Sequence, residues 1–199
     1  MCDAEFSLID SLFLCVSVVM KRLQLISIGD LDGIVLEGLA VELANHFSMP
    51  VEVLPQTIDP HFAFHGERRQ HHSSKLLGEI VKFAGPNTWR ILGVTGTDLY
   101  IPILTFVFGE AQMGGPGCVV SYYRLRQEFY GLPHEPDLLR ERLLKEAVHE
   151  LGHTLDLTHC EDYRCAMSAS HSVELIDLKE NAFCAPCAER VMASTSMER

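Results

Sequence analysis

The chain has 199 residues, with 16 lysines and arginines against 27 aspartates and glutamates, a net charge of −11 and a pI near 5.3. With 47% hydrophobic and 22% charged residues and a mean hydropathy of +0.11, it has the composition of one globular domain, without the repeated long apolar runs of a polytopic membrane protein. Its acidity and the absence of any basic block exclude nucleic acid and membranes as expected partners.

Phe6 to Met20 (FSLIDSLFLCVSVVM) is apolar, but the preceding MCDAE is acidic, Asp10 interrupts the run and no small-residue cleavage site follows. It does not read as a signal peptide, and it is too short to span a bilayer. Residues 1–19 are expected to be an N-terminal extension ahead of a single domain over residues 20–199. Leu23 to Ile28 predicts a strand and Ile34 to Phe47, with apolar residues at 35, 36, 39, 40, 43 and 47, an amphipathic helix. Val51 to Leu54, between Pro50 and Pro55, predicts a short second strand. Gln56 to His72 is polar and expected to be loop, with most of His61, His65, His71 and His72 solvated. Ser73 is the expected N-cap of a helix that stops before Ala84-Gly85-Pro86. Trp89 to Val94, Tyr100 to Phe108 and Cys118 to Tyr123 predict three more strands, the last two separated by a glycine-rich turn from Gly109 to Gly117.

Asp137 opens LLRERLLKEAVHELGHTLDL, whose apolar positions 138, 139, 143, 144, 147, 148 and 151 predict a long buried helix. His149 and His153 stand at i and i+4 on it, so both imidazoles reach one metal ion from one face. Glu150, beside the first of them, is placed to hold a metal-bound water, whose pKa zinc lowers to about 7. The competing reading of these five residues is a chance match, with two histidines packed in a core and the glutamate solvated. His159, six residues beyond His153, supplies a third nitrogen if the helix ends and the chain doubles back, and three protein ligands leave a fourth position open for catalysis. Cys2, Cys15 and Cys118 are scattered, whereas Cys160, Cys165, Cys184 and Cys187 fall within 28 residues. The odd total of seven fits a disulfide framework poorly, and CxxxxC followed by CxxC predicts a closed four-thiolate zinc site. The two sites abut at His159-Cys160, so the second zinc is expected to anchor the turn that presents His159.

The run HELGHTLDLTHCEDYRCAM followed by CAPC closely resembles the archaemetzincins, a zinc-dependent branch of the metzincin peptidases with the pattern HExxHxxGxxHCxxxxCxM and then CxxC. LQLISIGDLDG, ILGVTGTDLY and FVFGEA also resemble that family, and coverage is most of residues 21–190. The resemblance implies that His149, His153 and His159 bind a catalytic zinc, that Glu150 is the general base, and that Cys160, Cys165, Cys184 and Cys187 bind a structural zinc. It places Met167 in the Met-turn beneath the ligand imidazoles. The implied fold is a metzincin-like α/β (α+β) domain: a mixed twisted sheet packed on helices, an active-site helix and a small zinc-bound C-terminal subdomain.

One position departs from the pattern, because Asp156 stands where the family has glycine. Aspartate tolerates the left-handed region at a cost of about 1 kcal/mol, so the helix can still end there and turn toward the metal. If the helix continued instead, Asp156 would face the metal and His159 would be free. Tyr122, Tyr123 and Arg124 follow a strand expected to border the cleft, where a tyrosine would polarise a substrate carbonyl or simply pack at a half-buried surface. Cys118 is either a fourth metal ligand or a small buried hydrophobe. The expected function is zinc-dependent hydrolysis of peptide bonds in peptide or protein substrates, by a cytoplasmic monomer holding two Zn2+ ions. The alternative is a non-catalytic zinc module that binds a protein or peptide, for which Glu150 has no use.

Overall fold

Alternation along the strands assigns each helix to a face of the sheet. The structure, a computed structural model, describes residues 21–31 and 33–197. The expected extension over residues 1–19 lies outside them. In chain order the elements are β1 (Arg22–Ile28), α1 (Gly33–Phe47), β2 (Val51–Ile58), β3 (Phe64–His65), β4 (Gln70–His72), α2 (Ser73–Ile80), β5 (Thr88–Thr95), β6 (Leu99–Tyr100), β7 (Gly109–Ala111), β8 (Gly117–Ser121), α3 (Pro136–Thr154), α4 (Val173–Leu178) and α5 (Ala185–Met197). The main sheet has the order β2-β1-β5-β8-β7. Its first four strands are parallel and β7 closes one edge antiparallel to β8. Leu23, Leu25, Leu92, Val94, Cys118 and Val120 point to the face covered by α1 and α3. Ile26, Ile28, Ile91 and Val119 point to the other, where Leu76 and Ile80 of α2 pack. Every residue of β8 is buried, as a strand covered on both faces must be.

Several boundaries differ from the sequence expectation. β2 runs through Pro55 to Ile58 instead of ending at Leu54. It is an edge strand, where the missing N–H has no ladder partner to lose, and a register shift opposite Leu25 to Ser27 absorbs the break. The expected loop from Gln56 to His72 holds a 3-10 turn (Pro60–Ala63) and the hairpin β3-β4, which joins β6 in a second, three-stranded sheet. His72, and not Ser73, is the N-cap of α2; the Ser73 hydroxyl instead bonds the Tyr100 carbonyl at 3.1 Å and the Glu110 carboxylate. The strand expected from Tyr100 to Phe108 stops at Tyr100. Pro102 removes a donor there, and the apolar Ile103 is 86% exposed, so the apolar pattern of that stretch reports a surface turn. The glycine-rich stretch opens with β7 before turning.

The C-terminal part has a small core of its own, Leu157, Cys165, Met167 and Cys187, with Phe183 and Val191 packed around it. No helix among the described residues is long and apolar enough to cross a membrane.

Candidate active site

α3 is buried from Arg142 to Gly152, and this burial includes charged groups. Arg142, Glu146, His149 and His153, at helical spacings of four, three and four, form one stripe that faces the following C-terminal segment. Arg142 forms a bidentate pair with Asp177, both contacts at 2.7 Å. Glu146 pairs with Lys179 at 2.7 Å. The two histidines complete the stripe.

Their hydrogen bonds settle their protonation. His149 Nδ1 lies 2.8 Å from the Ala166 carbonyl oxygen and His153 Nδ1 lies 2.7 Å from that of Leu157. A carbonyl only accepts, so each Nδ1 carries the proton and each Nε2 presents a lone pair. The two Nε2 atoms are 3.1 Å apart. Burial, first of several causes, pushes the His149 pKa well below its usual value and that of His153 down as well, so a second ring proton is disfavoured. His159 joins them, its ring centroid 5.3 Å from that of His149 and 5.1 Å from that of His153. One nitrogen from each ring lies within 4.8 Å of the others. Tetrahedral ligands about 2.0 Å from zinc stand roughly 3.3 Å apart, so the donor type and spacing fit that ion.

His159 arrives because α3 ends where the third ligand requires. The Leu157 N–H bonds the Gly152 carbonyl at 3.1 Å and the Asp156 N–H that of His153 at 3.1 Å, a Schellman termination with Asp156 at the left-handed position, φ +64. The continuing-helix alternative is therefore excluded. The Asp156 carboxylate lies instead against Gly114, whose N–H bonds the His153 carbonyl at 3.1 Å.

Glu150 is buried beneath β7. A Cβ on Gly109 would stand 2.6 Å from its Cγ and Oε1, so the carboxylate occupies the place a side chain there would take. Burial above all, then Glu146, pushes its pKa well above the usual carboxylate range; Lys179 opposes the shift and Glu110 adds to it. A divalent cation nearby also opposes it. The edge strand, with Glu150 beneath it, is thus β7 rather than the strand leading to Tyr122.

The five described cysteines are free thiols. Cys160, Cys165, Cys184 and Cys187 converge with all four sulfurs within 4.8 Å, and Cys160 Sγ is 3.7 Å from Cys184 Sγ. Four sulfurs about 2.3 Å from a zinc ion stand roughly 3.8 Å apart. The N–H groups of Met167 and Cys184 point at Cys165 Sγ, at 3.4 and 3.3 Å, as they do toward a thiolate. The Cys160 N–H bonds the Met167 carbonyl at 2.9 Å, which joins the two sites. Met167 is fully buried and its thioether packs against the Cα of Gly152, between the positions of His149 and His153 on α3.

Other predicted candidates lie elsewhere. Cys118 is wholly buried in the core between the sheet and α3, outside both clusters. Arg124 is bonded to Asp98 at 2.6 and 2.7 Å and stacked on Phe106 and Phe129, while the Tyr122 hydroxyl lies against Gly96. His61 and His65 are exposed, as expected, whereas His71 and His72 are half-buried, His72 beside Tyr100. Sequence reasoning did not single out Gly109, Glu146 or Lys179. Gly109 sat inside a recognised segment, FVFGEA, but no signal marks the other two among many exposed charges.

Residues 37–193 match the family model described as Peptidase family M54. The chain is 39% identical to the archaemetzincin of Methanocaldococcus jannaschii over 174 residues, 87% of this chain and 94% of that one. The crystal structure of archaemetzincin from Archaeoglobus fulgidus, complexed with malonate, superposes with a TM-score of 0.74 at 36% identity, covering 85% of this chain and 99% of the other. That from Methanopyrus kandleri gives 0.76 at 30% identity over 92% and 99%. With the converged histidines, the buried glutamate and the thiol cluster on this fold, the chain belongs to peptidase family M54 and is a zinc metallopeptidase.

Proposed function

We propose that His149, His153 and His159 hold a zinc ion and that Glu150 is the general base in hydrolysis of peptide bonds, with peptides or proteins as substrates. The observation that carries this reading is the pair of Nε2 lone pairs 3.1 Å apart, each ring having given its Nδ1–H to a carbonyl. Their repulsion is relieved by a cation between them, and burial disfavours a proton in that role. Zinc, when bound, supplies Lewis acidity that acidifies water and polarises a carbonyl. Glu150 takes the proton of the attacking water in a dry cradle and passes it to the leaving amine. Among the described residues β7 is an edge strand beside Glu150, to which an extended peptide adds as a further strand. The four cysteines hold a second, structural zinc that anchors the turn presenting His159. Thiols kept free for that ion require a reducing compartment, here assigned as the cytoplasm.

Glu150→Gln keeps the side-chain shape and removes the base. Native mass spectrometry is expected to count two zinc ions per chain in both proteins, while peptide hydrolysis by the variant falls by about 100-fold or more. Hydrolysis that survives the substitution unchanged returns the chain to a non-catalytic zinc module.

A further inference from the structure

Lys179 is the largest fully buried side chain among the described residues, its side chain 0% exposed. A lysine is almost never buried without a partner, and this one has two. Its Nζ lies 2.7 Å from Glu146 Oε1 on α3 and 3.4 Å from the Ser168 carbonyl oxygen. It is the residue at which α4 ends, so its side chain links three segments that are distant in sequence. Between Cys165 of the thiol cluster and Ser168 lies Ala166, whose carbonyl receives the His149 Nδ1–H at 2.8 Å. The Ala166 N–H in turn bonds the Ala182 carbonyl at 2.8 Å, on the segment that follows Lys179. The 165–168 turn is therefore held at its start by the thiol cluster and at its end by Lys179, with the acceptor for His149 in between.

We propose that Lys179, through its ion pair with Glu146 and its bond to the Ser168 carbonyl, is a positioning residue of the histidine metal site, holding the Ala166 carbonyl where it keeps His149 Nε2 turned toward the metal. This rests on the reading that a metal occupies the histidine site. Groups that bond a ligand imidazole directly, as the Ala166 carbonyl bonds His149, are commonly worth 10- to 100-fold in metal affinity or activity, and Lys179 acts through that carbonyl. The Cys cluster, which lies on the other side of the turn, provides an internal control.

The test uses Co2+ in the full chain, because thiolate and imidazole sites have separable absorption spectra. Lys179→Met strands a buried carboxylate and can unfold the protein, so the decisive variant is Lys179→Met with Glu146→Gln, which removes both charges together. The expected result is Co2+ binding at the thiol site with the affinity of the parent protein, and binding at the histidine site weakened by about 10-fold or more. In the zinc-loaded protein, kcat falls with KM unchanged, and Lys179→Arg, with Glu146 kept, retains part of the histidine-site affinity and of kcat. Histidine-site affinity and spectrum equal to the parent in the folded double variant would overturn the positioning role alone. Absence of a histidine-site Co2+ spectrum in the parent protein would instead overturn the metal reading on which it rests.

Discussion

Gly109 has no side chain because Glu150 fills the space one would need. The 2.6 Å approach to both Cγ and Oε1, and an equal approach to the Val119 carbonyl, leave a methyl group no position that moves only a flexible side-chain end. Gly109→Ala is therefore expected to destabilise the fold by about 1–3 kcal/mol in chemical unfolding. By displacing Glu150, the proposed general base, it should also lower kcat/KM by up to about 100-fold at unchanged zinc content. A residue of a different kind is His46, in the last turn of α1 between the rings of Phe47 and Phe183, with centroids at 4.6 and 6.0 Å. Burial lowers its pKa below the usual histidine value. The unfolded chain therefore binds this proton more tightly than the folded one, so the contribution of His46 to stability is full above about pH 6.5 and is lost as pH falls through the folded value. Urea unfolding followed from pH 7.5 to 5 should show a smaller loss of stability in His46→Gln than in the parent, and equal slopes would refute this assignment.

At the scale of elements, the end of α3 decides whether a third histidine arrives. A helix that ran on would carry Thr158 and His159 around its far side, whereas the Schellman termination reverses the chain within three residues. Asp156 fills the left-handed position with a Cβ that pays a steric penalty glycine avoids. Asp156→Gly is expected to stabilise the protein by about 1 kcal/mol and to keep both metals, while His159→Ala loses the metal of the histidine site and retains that of the cysteines; metal analysis by mass spectrometry checks both. Asp156→Gly losing metal while His159→Ala keeps it would contradict the assignment. The same element explains an unusual interior. The stripe through Arg142, Glu146 and His149 to the half-buried His153 is polar yet largely buried, because each member meets a charge or carbonyl from the segment that folds back over the helix.

For the molecule as a whole, stability is unevenly distributed. The sheet is covered on both faces by two large apolar clusters, whereas the C-terminal part rests on four buried side chains, two of them cysteines. Val173 and Ile176 and the Arg142–Asp177 and Lys179–Glu146 pairs tie α4 to the main body, whereas the residues around the cysteines have only this small core, which the proposed thiol-bound ion would reinforce. Removal of zinc by a strong chelator should accelerate amide hydrogen exchange across residues 157–193, including the turn that presents His159, while β1, β5 and β8 stay protected. Uniform protection before and after chelation would show that the subdomain stands without its ion. The same coupling would make the histidine site depend on the cysteine cluster, since Cys160 follows His159 directly and its N–H bonds the Met167 carbonyl.

The candidate ligand residues and the βα order were legible in the amino-acid sequence because their spacings are local. His149 and His153 are one helical turn apart, the cysteine pairs have chelating spacings, and the apolar periods of β1, α1, β5 and α3 are governed by neighbours in the chain. Helix termination at Asp156 was the last local question, and the left-handed tolerance of aspartate left it open between two geometries. Tertiary structure decided what depends on distant partners. It made Ile103 a surface residue, let Pro55 sit inside an edge strand, and moved the border of the cleft to β7, because strand assignment follows position in the sheet rather than composition. It also buried Lys179, an ordinary surface lysine by its sequence surroundings, against a glutamate 33 positions away. A charge buried by its partner leaves no periodic trace in a sequence, since its environment is assembled only when the chain folds back on itself.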